Sequence, residues 1–180
     1  MGKRKNIVNT NIILIGMPGV GKSTIGVIAA KILGLRFLDT DLVIQDQEDR
    51  LLSEIIEEDG IEGFLRIEEE VLSGLRTKRT IIATGGSAIY GEKAMAHLKD
   101  LGPVVYLKLG YQDLRKRLGN LKNRGVVLRE GQSLQDLYKE RTPLYEKYAD
   151  YTIDETGLHV EETVTELISL YSDQERAYGF

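Results

Sequence analysis

Ile12-Ile13-Leu14-Ile15-Gly16-Met17-Pro18-Gly19-Val20-Gly21-Lys22-Ser23-Thr24 decides how the rest of the chain is read. Asn11–Ile15 is a short β-rich run, and beyond the glycines Ile25, Ile28, Ala29, Ile32 and Leu33 recur at helical spacing. The pattern predicts a strand, a loop and a helix over 22–33 that Gly34 stops. Residues 16–23 fit G-x-x-x-x-G-K-[ST]. Glycines let the backbone curl until successive N–H groups face one centre, where side chains would collide. The helix that follows aims its unpaired N–H groups and the positive end of its dipole at the same point. Such a bend suits phosphate. Gly16, Gly19, Val20, Gly21 and Thr24 would cradle a nucleotide, Lys22 would reach its β- and γ-phosphates, and Ser23 would ligate magnesium.

Outward from this unit, Arg36–Asp39, Thr80–Thr84, Pro103–Leu107 and Tyr151–Ile153 read as further strands. Helical patterns lie between them at about 61–77, 91–101, 111–119, 134–148 and 158–174. Strands and helices that alternate along a whole chain imply an α/β fold, a parallel sheet with helices on both faces. The helix at 61–77 should bury Ile61, Phe64, Leu65, Val71, Leu72 and Leu75, with Glu62, Glu69 and Glu70 turned away. Residues 45–70 hold eleven acids and two arginines, read as the solvated face of two helices.

Composition narrows the classes. At about 100–200 residues per domain, 180 residues make one domain, 1–180. The absence of cysteine excludes a disulfide scaffold, a thiolate nucleophile and a zinc–thiolate site. With 28 acidic and 24 basic side chains the net charge is −4, which offers no general attraction to nucleic acid. The basic start Met1-Gly2-Lys3-Arg4-Lys5 imitates a signal peptide. The apolar run after it is too short for one, and no stretch is long enough to span a membrane. A cytoplasmic protein is expected. His97 and His159 have no partner at metal-ligand spacing and are read as surface or satisfied histidines.

Asp39 and Asp41 follow the second strand, at the carboxyl end where open parallel sheets bind ligands. One carboxylate could hold a magnesium-bound water and the other could orient or deprotonate an attacking hydroxyl. The bland alternative is that Thr40 or Asp41 only caps the next helix. Thr84-Gly85-Gly86-Ser87 ends the third strand with bare backbone that a ligand can approach. Residues 111–131 carry Arg115, Lys116, Arg117, Lys122, Arg124 and Arg129 against Asp113 and Glu130, broken by glycines at 119, 125 and 131. They look like a mobile cover, centred on about 119–132, that brings arginine charge onto phosphates. Arg141 precedes Thr142-Pro143-Leu144-Tyr145, and the proline should kink the helix and aim Arg141 inward.

Taken together, these residues resemble the shikimate kinase family of phosphate-loop kinases, from about Ile12 to Leu170. The loop alone is unspecific. Leu38-Asp39-Thr40-Asp41, Phe64 with Glu68, Gly85-Gly86 and Arg141-Thr142-Pro143-Leu144-Tyr145 follow it in the family's order and spacing. The resemblance implies a three-layer fold with a five-stranded parallel sheet ordered 2-3-1-4-5, acceptor-binding helices within about 40–77 and a cover over ATP. It also implies ATP and magnesium as cofactors, a small hydroxyl-bearing acceptor as the one partner, and a monomer of aromatic amino acid biosynthesis. The reaction implied is transfer of the γ-phosphoryl group to the 3-hydroxyl of shikimate. By position, Asp41 would hold ring hydroxyls and serve as base, and Asp39 would contact magnesium through water. Gly85, Gly86 and Arg141 would contact the acceptor. Lys22 and Arg124 would stabilise the transferring group, with Arg117 beside adenine.

Three positions depart from the family pattern. The arginine of Phe-Arg-x-x-Glu, which grips the acceptor's carboxylate and pairs with the glutamate, is Leu65 here. Arg66 is turned about 100° around the helix and should not replace it. The third glycine of Gly-Gly-Gly is Ser87, and the cover's Arg-Pro-Leu is Arg124-Gly125-Val126. Glu68 therefore needs another cation or a polar group of the substrate, since an unpaired buried carboxylate is costly. A neutral or zwitterionic hydroxylated acceptor, or a nucleotide-binding module without transfer, remains open at this level.

Overall fold

Short runs of Ile, Val and Leu flanked by glycine or proline form the strands, and longer periodic runs form the helices between them. The structure, a computed structural model, describes residues 11–118, 129 and 131–177. In chain order the elements are β1 (Ile12–Ile15), α1 (Lys22–Leu33), β2 (Arg36–Asp39), α2 (Thr40–Glu48), α3 (Leu52–Gly74) and β3 (Thr80–Ala83). A short 3-10 turn at Ala88–Tyr90 precedes α4 (Glu92–Leu101), β4 (Val104–Lys108) and α5 (Tyr111–Leu118). Last come α6 (Leu134–Tyr148), β5 (Tyr151–Asp154) and α7 (Val160–Ala177). The strands form one sheet in the order β2-β3-β1-β4-β5, every neighbouring pair parallel. Every residue of β1 and β3 is buried. Successive side chains of a strand point to opposite faces, so both faces are covered.

Two expectations change on α1 and α3. The stripe predicted on α1 included Ile28 and Ile32, which are 37% and 61% exposed. The face that meets the sheet is instead Ile25, Gly26, Ala29 and Ala30. Small residues let the helix press close, and a Cβ on Gly26 would stand 2.7 Å from the Phe37 ring. The predicted helix at 61–77 is the second half of α3, which leaves helical geometry at Gly60 (φ 71, ψ 176) and ends at Gly74. Phe64, Val71, Leu72 and Leu75 are buried as expected, while Ile61 and Leu65 are half-buried. Across the acidic stretch, Arg50 pairs with Glu48, Glu58 and Asp59. Proline does not interrupt α6, which continues across Pro143 with Thr142 donating to the Tyr138 carbonyl at 2.7 Å.

Asn11, 1% exposed, fixes the amino end of the sheet. Its amide donates to the carbonyls of Thr77 (3.0 Å) and Leu101 (3.1 Å), and its oxygen accepts the Thr80 N–H at 3.0 Å. One side chain thereby ties the start of β3 and the end of α4 to the start of β1. Asn11→Ala leaves these buried groups without partners. It should cost about 2–4 kcal/mol of unfolding free energy, measured by urea denaturation followed by circular dichroism. A loss below about 0.5 kcal/mol would show that the staple is dispensable.

Candidate active site

The carboxyl ends of β1, β2 and β3 open into a cavity of about 280 Å³. It brings Gly19, Gly21, Lys22, Ser23 and Thr24 together with Asp39, Asp41, Gly85 and Gly86, as the sequence predicts. Gly16 and Val20 are buried beneath the bend. Gly21 sits at φ 106, a left-handed conformation that lets the chain turn directly into α1. The Lys22 ammonium, in a residue 8% exposed, donates to the carbonyls of Gly16 (2.7 Å) and Met17 (3.0 Å). Burial lowers its pKa to about 8, against partial support from Asp41.

Asp39 is the cap of α2, with Oδ1 accepting the Asp41 N–H at 3.0 Å, so the cap is neither Thr40 nor Asp41. Its Oδ2 accepts the Ser23 hydroxyl at 2.6 Å, which joins β2 to the phosphate loop. Thr40 accepts the Gly85 N–H at 3.1 Å and joins β2 to β3. Burial, and then the charge of Asp39, push the Asp41 carboxyl up to about 6. A Cβ on Gly85 would lie 2.8 Å from Asp41 Oδ1 and 2.5 Å from Glu68 Oε1, so only glycine leaves room for both carboxylates.

Glu68 has found the polar partner that Leu65 cannot supply. Ser87 and the positive charge of Arg141 both favour its charged form, while Oε1 has no hydrogen-bond partner. Two departures from the family pattern, at positions 65 and 87, thus meet on one carboxylate. Burial is the main cause that raises Glu68 to about 7, with the charge of Asp41 adding to it.

Arg141 is 2% exposed and points inward. Its Nε donates to the Tyr90 hydroxyl at 3.2 Å and its guanidinium lies 5.3 Å from the centre of the Tyr90 ring. A Cβ on Gly86 would lie 2.9 Å from Arg141 Nη1. Tyr145 donates to the Gly86 carbonyl at 2.6 Å and stacks on Tyr106 at 5.1 Å. Arg117 donates to the Val20 carbonyl (3.0 Å) and to Glu155 (3.1 Å), which places it against the loop. Arg124 and the rest of the cover at 119–128 lie outside the described residues. His97 is satisfied, its Nε2 2.8 Å from the Leu75 carbonyl, and His159 is exposed.

Sequence reasoning passed over Tyr90, Glu140 and Glu155. Glu155 stands one residue beyond β5, at the carboxyl end of the sheet, and that position was its signal. Tyr90 and Glu140 carried none, because they meet only through the 3-10 turn and α6.

Comparison with known proteins agrees with this geometry. A family model described as shikimate kinase matches residues 18–172. A shikimate kinase of Thermodesulfovibrio yellowstonii is 37% identical over 164 residues, 89% of this chain and 94% of its own length. One of Methylococcus capsulatus is 38% identical over 152 residues, 83% of this chain and 84% of its own length. The solved structure of shikimate kinase from Acinetobacter baumannii in complex with shikimate superposes with a TM-score of 0.81 at 34% identity. That superposition covers 92% of this chain and 94% of the other.

The raised acids have a sign that can be measured. Glu68 at about 7 holds its proton in the folded chain where the unfolded chain, near the ordinary 4.5, has lost it. The folded state therefore binds more protons between these values, and stability falls as pH rises through that window. Glu68→Gln removes this burden, so relative to the parent it should be more stabilising at pH 8 than at pH 5 by about 1–3 kcal/mol. Parallel urea titrations at the two pH values check it, and equal effects at both would contradict the burial of an ionisable Glu68.

Proposed function

Because the chain belongs to the shikimate kinase family, we propose that it transfers the γ-phosphoryl group of ATP to the 3-hydroxyl of shikimate. The observation that carries the reading is the convergence of Lys22, Asp41, Gly85 and Gly86 on one cavity with buried Arg141 beside it. The loop amides and the start of α1 receive the phosphates, and the Lys22 ammonium exchanges its two carbonyl partners for β- and γ-oxygens. Ser23 and, through water, Asp39 would hold magnesium, which would supply positive charge to offset that of the phosphates. The 2.6 Å approach of the two side chains supports a shared ligand there. Among the described residues no group of three or more His, Asp or Glu could hold a metal.

Asp41 orients the acceptor hydroxyl and takes its proton as the oxygen forms its bond to the γ-phosphorus and the bond to the bridging oxygen of ADP breaks. Arg141 holds the acceptor's carboxylate, and the backbone at Gly85 and Gly86 lets the ring lie close. Arg117, against the phosphate loop, adds positive charge beside the nucleotide. No described helix is long and apolar enough to cross a membrane. A cytoplasmic monomer belongs to the same proposal.

The base works only when ionised, so with Asp41 at about 6 the kcat/KM for shikimate should fall as pH drops through that value. Asp41→Asn should lower kcat by about a hundred- to ten-thousand-fold and erase that acid limb. Phosphorus NMR of the parent chain with magnesium, ATP and shikimate should show shikimate 3-phosphate. Its absence under conditions where the nucleotide binds would remove the proposed acceptor.

A further inference from the structure

We propose that Arg129 recognises the acceptor's carboxylate in this chain, in place of the arginine that position 65 lacks. The inference rests on the shikimate reading above. Leu65 lines a small cavity beside the phosphate site together with Ile61, Tyr90, Arg129, Gln132 and Arg141. Arg141 faces both spaces, since its guanidinium also closes on Gly86. An acceptor whose reacting hydroxyl meets Asp41 and whose ring covers Gly85 and Gly86 therefore turns its far end toward Leu65 and Arg129. At that end the walls are the buried Arg141, the aliphatic Leu65 and Glu140, whose two oxygens accept from Gln132 and Tyr90. Arg129 is the second cation among the residues that line this cavity.

Its side chain is available for the task. Glu62 Oε1 is 3.7 Å from Arg129 Nη2, and the two side chains are 56% and 78% exposed. Such exposed pairs hold weakly and exchange partners readily. The backbone of Arg129, by contrast, is fixed. Its N–H donates to Gln132 Oε1 (3.2 Å), and its carbonyl accepts the Gln132 N–H at 3.0 Å. Gln132 donates to Glu140 Oε2 at 2.8 Å, the other oxygen of Glu140 accepts the Tyr90 hydroxyl, and Tyr90 accepts from Arg141. One hydrogen-bonded frame thus sets the two arginines on the same cavity. A planar guanidinium on each side suits a carboxylate, which can accept two parallel N–H donors from either. Arg66 is placed differently. It is exposed, and its Nη2 lies 3.9 Å from where a Cβ on Gly63 would stand, on the Asp59 side.

The test is the steady-state KM for shikimate and for its neutral methyl ester, in the parent chain, in Arg129→Gln and in Arg129→Gln with Leu65→Arg. Arg129→Gln should raise the KM for shikimate about ten- to hundred-fold. The KM for ATP should move less than about two-fold and the KM for the ester should not follow that of shikimate, because the lost hydrogen bonds are to a charged carboxylate. Adding Leu65→Arg should return the shikimate KM toward the parental value. If the parent turns over shikimate and Arg129→Gln shifts acid and ester alike, or neither, the assignment of Arg129 is overturned alone. If the parent transfers nothing to shikimate, the assignment falls together with the reading beneath it.

Discussion

A buried ammonium held by two carbonyl oxygens is the constraint around which the site is built. Lys22 lies in the bend with no carboxylate in salt-bridge contact among the described residues, and burial has already lowered its affinity for a proton. Across the cavity, Asp41 and Glu68 are raised acids, and Glu68 keeps one oxygen without a partner. Charges in this arrangement are poorly served by the protein alone. They are well placed for a polyanion on one side and a hydroxylated ring on the other, because dipoles already fixed in place need no reorganisation when charge develops. The Lys22 ammonium, the loop amides and the start of α1 all require a phosphate to settle them, and the rest of the fold holds these groups in register.

That register comes from the sheet. β1, β2 and β3 end side by side, with Leu14, Ala83 and Asp39 in register, so Gly16 and Thr84 emerge just beyond Asp39 although the three are far apart in the chain. Short polar links then stitch the three ends together: Ser23 to Asp39, Gly85 to Thr40, and Thr84 to the Leu14 carbonyl at 3.0 Å. Asp39 serves at once as a helix cap and as the partner of the loop serine. A single carboxylate with both duties couples the position of α2, and with it Asp41, to the phosphate loop.

Much of this was legible in the residues. Gly16 to Thr24 declared the loop, alternation of apolar strands and periodic helices declared a parallel sheet, and Asp39 and Asp41 stood where such sheets bind ligands. The misread parts have physical causes. Hydrophobic periodicity pointed to Ile28 and Ile32, whereas α1 meets the sheet through Gly26, Ala29 and Ala30, whose value is their small size. The first half of α3 was hidden in the acidic stretch before Gly60. That Leu65 leaves Glu68 in need of another partner was legible, but that Ser87 stands beside Glu68 was not, because the two are brought together across α3 and the turn after β3. Tyr90, Glu140 and Gln132 form a chain of side-chain hydrogen bonds between distant segments, and no local pattern encodes such a chain.

The direct measurement of the central claim is calorimetric titration of the protein with a non-hydrolysable ATP analogue and magnesium at pH 8, in buffers of different ionisation enthalpy. Phosphate seated against Lys22 raises the ammonium's pKa from about 8, so binding should take up a fraction of a proton and the heat should vary with the buffer. Lys22→Met should abolish that variation. Binding whose heat is the same in every buffer, or no binding at all, would contradict the account.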